Sequence, residues 1–426
     1  MLNNFKQKIR TSTGKKLVSN FFSLSSIQIA SYILPLITIP YLVRVLGVEK
    51  FGLIAFAQVI IQYFIIFTDY GFGLSATKQI AEHREDELRV SKIFSSVLIL
   101  KIIILCISFI MLSVFVFSFE KFSNDWKLYY LTFGLVIGQA IFPIWYFQGI
   151  EKMHITALVN IVPKLIFTIA IFIFVKNKDD YLLVPLIHSI GFLLAGGFSL
   201  WVALHYYKVS FTFPSIKLLK YQLKEGWHIF LGSISLNFSM LNITFILGIL
   251  TTPTVVGYYA AVEKIIRPLA SLNRPVINSI FPYMTNTAKT NPGKSYQFSK
   301  RICMLVSGIM FLVGVVLFAF SDRIVIFIFG EQFFASSIIL KIMSIIPMLQ
   351  SFIHIYAIPN MIIFDFKKVY SKIVFWGLIL SLLSSFVLIS LFESKGAAFT
   401  ALLTDLFIFV GMRLYLQKSF SKKSMK

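Results

Sequence analysis

Long apolar runs alternate with short polar connectors along most of the chain. Because a membrane-spanning helix needs about 20 mainly apolar residues, this pattern predicts twelve transmembrane helices. The predicted spans are 18–43, 51–73, 93–118, 128–150, 155–175, 181–204, 228–250, 257–283, 302–320, 334–358, 369–392 and 396–416. We therefore expect an all-α polytopic membrane protein.

The longest polar connector follows the sixth predicted span and divides the chain into two halves. We predict an N-terminal six-helix bundle over 1–204, a cytoplasmic connector over 205–227, and a C-terminal six-helix bundle with a basic cytoplasmic tail over 228–426. Two bundles around a central cavity are common among transporters that bind their substrate near the middle of the membrane. The layout thus favours a transporter.

Composition supports the membrane assignment and constrains the topology. Hydrophobic residues make up 57% of the chain and charged residues only 14%, against roughly 25% charged residues in soluble domains. The net charge of +22 does not indicate nucleic-acid binding, because most Lys and Arg lie in short connectors between spans. Most of these Lys and Arg are on the same predicted side of the membrane as the N-terminus. By the positive-inside rule this distribution places both termini in the cytoplasm. The polar, basic start of the sequence predicts no cleavable signal peptide.

Three cations fall within the eighth predicted span: Lys264, Arg267 and Arg274. A charge at bilayer depth costs about 3 kcal/mol on insertion scales, so it generally faces a cavity or pathway. At about 100° per residue, the three side chains fall within an arc of about 80° on one helix face. Pro268 and Pro275 each remove a backbone hydrogen bond and favour a kink. A kinked, cation-lined helix predicts a binding site for an anion that crosses the membrane.

These cations also have a structural interpretation. Glu263 lies four residues before Arg267 and can pair with it on the helix surface. Cations near helix ends can also extend to the membrane interface without facing a cavity. Glu263 is therefore a candidate ion-pair or coupling residue.

Three further cations are candidates for the same site. Lys164 lies near the middle of the fifth span, so it should face the cavity or pair with an acid such as Asp69 or Asp405. Lys101 lies nine residues into the third span, where cavity lining and extension to the cytoplasmic interface are equally open. Arg44 ends the first span, where it could guide the anion out, close an outer gate, or interact with the C-terminal helix dipole.

Asp69 and Asp405 are the other acids in the predicted spans. A carboxylate among cations can pair with one of them, bind a coupling cation, or accept a proton as access to the cavity changes. The spans hold more Lys and Arg than Asp and Glu. This balance favours an anionic substrate over an organic cation.

Aromatic residues are abundant, and one cluster has two interpretations. Trp145, Tyr146 and Phe147 could stack on sugar rings. Lipid-facing packing and an interfacial belt are the favoured interpretation, because aromatic rings concentrate at membrane–water interfaces.

Several kinds of chemistry have no support in the sequence. There is no Walker A sequence and no G-x-S-x-G nucleophile elbow, which argues against ATP hydrolysis by this chain and against a serine hydrolase. The six His show no metal-ligand spacing. Cys106 and Cys303 lie within apolar runs and are interpreted as small core residues. We predict neither an enzyme nor a bound metal or cofactor.

Three stretches resemble one transporter family. They are LPLITIPYLVRVLG with the following DYGF motif, FPIWYFQGIEKMHITALVNIVPKLIF, and GYYAAVEKIIRPLASLNRPVINSIFPYM. They are similar to the corresponding regions of Wzx-type polysaccharide flippases, which handle O-antigen or capsule repeat units. These flippases belong to the MATE-like multidrug/oligosaccharidyl-lipid/polysaccharide exporter superfamily. The resemblance implies two six-helix bundles around a central cavity, in agreement with the span count.

The resemblance also implies an activity and its partners. The substrate is expected to be an undecaprenyl-diphosphate-linked oligosaccharide, moved from the cytoplasmic to the periplasmic leaflet of a bacterial inner membrane by alternating access. Expected partners are membrane lipids, a proton or sodium ion for coupling, a polysaccharide polymerase and a chain-length regulator. The alternatives are a MATE-like cation-coupled multidrug antiporter and a membrane glycan polymerase or ligase.

Overall fold

A computed structural model describes the backbone of residues 12–423. The side chains of 12–33, 35, 36, 232–240, 274 and 421–423 lie outside the described residues. Within the described range the chain is helical, with turns and short connectors and no β-strand. The predicted all-α fold is therefore confirmed. The chain divides into a first unit, Met1–Leu46 with Ala57–Leu236, and a second unit, Gly47–Phe56 with Asn237–Lys426.

The first unit contains most of the helices before residue 237. In chain order they are α1 Ser12–Asp69, α2 Phe72–Glu82, α3 Glu87–Ser118, α4 Glu120–Ser123, α5 Trp126–Ile141, α6 Ile144–Gly149, α7 Met153–Phe174 and α8 Leu183–Trp201. A 3-10 turn, Lys178–Leu182, precedes α8, and a π-helical turn, Val202–Tyr206, follows it. Helix α9, Ile216–Leu250, begins in this unit and continues into the second.

The second unit contains the remaining helices. They are α10 Pro253–Ser271, α11 Asn273–Thr290, α12 Pro292–Ala319, α13 Ser321–Phe329, α14 Ser336–Met343, α15 Ile346–Ser351, α16 Ile358–Ile363 and α17 Lys367–Lys423. A 3-10 turn, Glu331–Phe333, precedes α14, and a π-helical turn, Phe352–Ala357, lies between α15 and α16.

Two of the long helices are each bent at one residue with positive φ. Gly47 in α1 has φ 73° and ψ 176°, and Glu393 in α17 has φ 49° and ψ −124°. The kinks fall in the predicted connectors between spans one and two and between spans eleven and twelve. Helix α17 therefore contains two predicted spans, and α1 contains the first span and most of the second.

Eight helical stretches among the described residues are long and apolar enough to cross a membrane. They are Ile37–Glu82, Glu87–Ser118, Trp126–Gly149, Met153–Phe174, Lys178–Tyr206, Pro292–Ala319, Ser336–Ile363 and Lys367–Phe420. The chain is thus a multi-pass membrane protein. The predicted eighth span is not one of these stretches, because Glu263, Lys264, Arg267 and Arg274 make it less apolar than the others. Its residues form α10 and α11, which meet at Leu272. The count of twelve, the domain limits and the orientation of the termini stay predictions.

The aromatic cluster has a different role from the one expected. Trp145, Tyr146 and Phe147 are all buried in the core of the first unit, where Phe94 packs against the first two rings. Both expectations, an interfacial belt and sugar stacking, were therefore wrong for these side chains. The physical reason is that α6 packs closely on α2: a Cβ on Gly149 would lie 2.6 Å from the side chain of Ile80.

Glycine permits a close approach between α1 and α10 inside the second unit. A Cβ on Gly52 would lie 1.8 Å from the backbone oxygen of Pro253, and one on Gly257 would lie 2.2 Å from that of Val48. Small residues allow membrane helices to approach closely. This contact fixes the start of α10, the helix that carries the cations.

We expect Gly257→Ala to lower the free energy of unfolding by about 1–3 kcal/mol, because backbone atoms cannot move aside for the added methyl group. Gly308→Ala, on α12 with nothing within 4 Å of its Cβ, is the matched control and should not destabilise. Thermal unfolding of both purified variants in detergent checks this prediction. A Gly257→Ala protein that unfolds at or above the wild-type temperature would contradict it.

Candidate functional site

In the second unit, the predicted cationic stretch forms two helices. Helix α10 ends at Ser271 and α11 begins at Asn273. Lys264 and Arg267 lie on α10, three residues apart and hence on neighbouring positions of one helix face. Arg274 belongs to α11, so the argument that placed all three on one helix face applies only to the first two. The side chain of Arg274 lies outside the described residues.

Glu263 and Arg267 form an ion pair on α10. Arg267 Nη2 donates to Glu263 Oε1 at 2.5 Å. The carboxylate side chain is only 13% exposed, whereas the guanidinium side chain is 46% exposed. Glu263 therefore orients a guanidinium that the protein leaves partly uncovered, and a planar guanidinium in such a position can bind an anion.

Proline and asparagine shape the end of α10. Pro268 lies inside the helix and has no N–H to donate to the carbonyl of Lys264. Asn273, which is buried, donates through Nδ2 to the carbonyl of Ala270 at 2.9 Å and accepts from Ser351 Oγ at 3.0 Å. The turn between α10 and α11 is thus held by a hydrogen bond to α15, which limits how the cationic segment can bend.

Asp405 is held by an amide in the second unit. Gln350 Nε2 lies 2.9 Å from Asp405 Oδ1 and 2.8 Å from Oδ2 and donates to the carboxylate. The pair joins α15 to α17. The next residue, Ser351, bonds Asn273, so α15 contacts both Asp405 and the turn after α10.

In the first unit, Lys101 and Asp69 form an ion pair between α3 and the end of α1. Lys101 Nζ donates to Asp69 Oδ1 at 3.3 Å. The Lys101 side chain is only 5% exposed, so it does not extend to the interface, while that of Asp69 is 46% exposed. The pair therefore stabilises a buried ammonium with a carboxylate that solvent can reach.

The chain turn after Asp69 explains its exposure. Tyr70 and Gly71 both have positive φ, 46° and 77°, so α1 ends at Asp69 and α2 starts in a new direction. The turn packs closely on α9, since a Cβ on Gly71 would lie 2.8 Å from the backbone oxygen of Gly226. Asp69 thus lies at a sharp bend at the end of α1, where its side chain is less covered than it would be inside a packed helix.

The other two predicted site cations lie elsewhere in the first unit. Lys164 is half-buried on α7, where its carbonyl accepts a hydrogen bond from Thr168 Oγ1 at 2.8 Å. The acids considered as its partners have contacts of their own: Asp69 pairs with Lys101, and Asp405 accepts from Gln350. Arg44 is exposed on α1, three residues before the kink at Gly47.

The sequence analysis did not identify the uncharged polar residues that form hydrogen bonds between the helices of the second unit. Gln350, Ser351 and Asn360 lie in an apolar stretch, and Asn360 Nδ2 donates to Ser299 Oγ at 2.8 Å. Their position among apolar residues could have predicted such hydrogen bonds, because buried polar groups need partners. Among the described residues, no group of three or more His, Cys, Asp or Glu could hold a metal ion.

Comparison of the sequence with known proteins gives a consistent set of relatives. A family model described as "Polysaccharide biosynthesis protein" matches residues 17–288. The "Putative O-antigen transporter" of Escherichia coli (strain K12) is 32% identical over 400 residues, which are 94% of this chain and 96% of that protein. The "Probable low-salt glycan biosynthesis flippase Agl15" of Haloferax volcanii is 24% identical over 371 residues, 84% of this chain and 75% of that protein.

Solved structures share the fold. The inward closed conformation of "Lipid II flippase MurJ" has a TM-score of 0.70 at 13% identity, covering 94% of this chain and 87% of that one. An inward-facing multidrug resistance MATE family transporter of the MOP superfamily has a TM-score of 0.66 at 14% identity, covering 93% and 98%. The likeness at such identities concerns the fold alone.

Proposed function

The chain belongs to the polysaccharide biosynthesis protein family, and on that premise we propose that it is a flippase for undecaprenyl-diphosphate-linked oligosaccharide repeat units. Each unit moves from the cytoplasmic to the periplasmic leaflet for surface polysaccharide biosynthesis, of the O-antigen or capsule kind. The relatives' names, an O-antigen transporter and a glycan biosynthesis flippase, support a glycan substrate. No covalent step is involved, and the chain is a transporter, not an enzyme.

The observation that carries this proposal is the cationic face of α10. Arg267 is oriented by Glu263 and still 46% exposed, and Lys264 is its neighbour on the helix. A guanidinium binds phosphate oxygens through its planar fork and an ammonium as a compact charge. This pair suits a diphosphate better than it suits an organic cation.

We propose alternating access as the mechanism. Bare phosphates in hydrocarbon lose the solvation that water gives them, and unaided flipping is therefore slow. Lys264, Arg267 and Arg274 replace that solvation while the polyprenyl tail stays in lipid. Lys101, Lys164 and Arg44 are proposed as further cations along the path, with Lys101 held by Asp69. Access then switches from the cytoplasmic to the periplasmic side.

Net direction needs a source of free energy. Asp405 and Asp69 are the proposed groups for coupling to a proton or sodium ion, since each is an acid within a predicted span, and Asp405 accepts its two hydrogen bonds from the neutral amide of Gln350. We place the protein in the bacterial inner membrane with both termini in the cytoplasm. A polymerase and a chain-length regulator are the proposed partners.

One specific observation favours a second candidate, a MATE-like multidrug antiporter. The chain shares its fold with MATE transporters at a TM-score of 0.66, so the fold alone does not separate the two activities. Such an antiporter needs an acidic binding site for organic cations. The excess of Lys and Arg over acids in the predicted spans therefore ranks it second.

Complementation tests the proposed function. A flippase-null strain that makes a related glycan is given the wild-type gene, and surface polysaccharide and the cytoplasmic-leaflet pool of lipid-linked repeat units are followed. We expect the pool to clear and surface glycan to return. The same test is repeated in hosts that make different repeat units. If the cytoplasmic-leaflet pool stays unchanged in all of them and the protein exports cationic dyes, the antiporter is supported instead.

A further inference from the structure

A cavity of about 490 Å³ lies in the first unit, between α2, the start of α3 and the start of α9. We call it the α2–α3 cavity. It is separate from the groups discussed above, and none of Asp69, Lys101 or Lys164 lines it. Its volume is within the range of about 300–1,000 Å³ that small-molecule sites occupy. It can therefore hold a group of the size of a lipid headgroup.

Gln79, a buried amide that lines the cavity, is held by a second buried amide, Gln222. Gln79 Nε2 donates to Gln222 Oε1 at 2.9 Å, and Gln222 Nε2 donates to Gln79 Oε1 at 2.8 Å. This reciprocal pair joins α2 to α9. Satisfied buried polar contacts rigidify the groups that make them, so the position of Gln79 is fixed without a bound molecule.

Two cations line the cavity from the first turns of α3. Arg89 and Lys92 are exposed and three residues apart, and hence on neighbouring positions of the helix face. Neither takes part in an ion pair within the part of the chain that the structure describes. The nearby acids have other contacts: Asp86 Oδ1 accepts from the backbone N–H of Arg89 at 2.9 Å, and Glu82 lies 3.8 Å from Lys78. The two cations are thus available to an anion.

The same cavity offers acceptors for hydroxyl groups. Glu82 and Asp86 both line it, and each carboxylate has more acceptor positions than its one contact uses. His83 lies 2.8 Å through Nδ1 from the carbonyl of Gln79. Because a carbonyl only accepts, Nδ1 carries the proton and Nε2 is left for a ligand. Cations combined with acceptors suit a phosphate that bears hydroxyl groups.

Some apolar side chains also line or flank the cavity, which lies at the predicted membrane surface. Ile93, which lines the cavity, is the first residue of the predicted third span. Leu88 at the cavity is 73% exposed. Phe213, in the segment before α9, and Ile216, its first residue, do not line the cavity but are 91% and 72% exposed. The extended segment that carries Phe213 is held on α3, where Thr212 N donates to Ser95 Oγ at 3.0 Å. Such side chains suit acyl chains and the interface better than water.

We propose that the α2–α3 cavity binds the headgroup of an anionic phospholipid of the phosphatidylglycerol type from the cytoplasmic leaflet. Arg89 and Lys92 bind the phosphate, Glu82 and Asp86 accept from the glycerol hydroxyls, and Leu88 contacts an acyl chain. This site is distinct from the substrate path and does not depend on which glycan is transported.

Native mass spectrometry of the full-length protein in detergent, titrated with phosphatidylglycerol and phosphatidylcholine, tests the proposal. Wild type should bind phosphatidylglycerol in preference. Arg89→Ala with Lys92→Ala should weaken that binding about tenfold or more, because charge-assisted hydrogen bonds are lost. The charge-conserving pair Arg89→Lys with Lys92→Arg should keep it, which controls for folding.

Lys217→Ala with Lys220→Ala is the matched control, since it removes the same charge from the exposed start of α9 without touching the cavity. It should leave phosphatidylglycerol binding unchanged. Equal losses in the two double variants would overturn the proposal in favour of diffuse attraction. Binding of glycerol 3-phosphate as tight as that of the lipid would overturn it in favour of a soluble phosphate ester.

Discussion

Alanine at both Lys264 and Arg267 is expected to slow translocation of the lipid-linked repeat unit by about a hundredfold or more. Each charge-assisted hydrogen bond to a phosphate is worth about 1.5–3 kcal/mol, and about 1.4 kcal/mol corresponds to a factor of ten. Loss of two such contacts during passage of the diphosphate accounts for a reduction of the translocation rate by about a hundredfold or more. The measurement is the rate at which the cytoplasmic-leaflet pool is cleared, at matched expression.

The ion pair on α10 requires its own control. The double substitution leaves Glu263 without its partner Arg267, and an unpaired carboxylate that is 13% exposed is itself costly. Glu263→Gln added to the double variant removes that carboxylate. If transport stays low, the lost phosphate contacts are the cause, as we expect. Recovery of transport would mean that Lys264 and Arg267 act only by balancing Glu263.

Arg413→Ala is the matched control for removing an arginine from the second unit. Arg413 is exposed on α17 and stacks on Phe409, with 5.7 Å between its guanidinium carbon and the ring centroid. We expect its transport rate to stay close to that of wild type. A loss as large as that of the α10 double variant would show that any cation in this unit has the same effect.

Asp69→Asn is expected to destabilise the first unit more than Lys101→Met does. The substitution leaves an ammonium that is 5% exposed without its counter-ion. Breaking a buried pair costs about 3–5 kcal/mol, which we reduce to about 2 kcal/mol because Asp69 is 46% exposed. Lys101→Met leaves only a carboxylate that solvent reaches, so we expect a loss of about 1 kcal/mol or less.

A double-mutant cycle separates this effect from a general loss of packing. Asp69→Asn combined with Lys101→Met should recover most of the stability lost in Asp69→Asn alone, because no buried charge remains. Free energies of unfolding in detergent, measured with denaturant, give the coupling. Additive losses, or a larger loss for Lys101→Met than for Asp69→Asn, would contradict the ion-pair geometry.

The sequence predicted those features that depend on local spacing. The pairing of Glu263 with Arg267 follows from their four-residue separation on a helix, and the structure contains it. The kinks at Gly47 and Glu393 fall where apolar runs were interrupted. Hydropathy also indicated the all-α membrane fold, because lipid forces each span to satisfy its backbone internally.

Contacts between distant positions could not be predicted in the same way. Lys101 and Asp69 are 32 positions apart and Gln350 and Asp405 are 55 apart, so their pairing depends on which helices pack together. An aromatic run such as Trp145 to Phe147 has the same composition in a core as at an interface. These three side chains are buried because α6 packs closely on α2, and the sequence pattern does not show which helices pack together.

Reconstitution tests the central claim most directly. The purified protein is placed in liposomes that contain an undecaprenyl-diphosphate-linked oligosaccharide, and an external glycosidase reports how much of it reaches the outer leaflet. We predict that wild type exposes the inner-leaflet pool far faster than protein-free liposomes, and that Lys264→Ala with Arg267→Ala does not. Wild-type protein that exposes the pool no faster than protein-free liposomes, while it transports organic cations, would contradict the account.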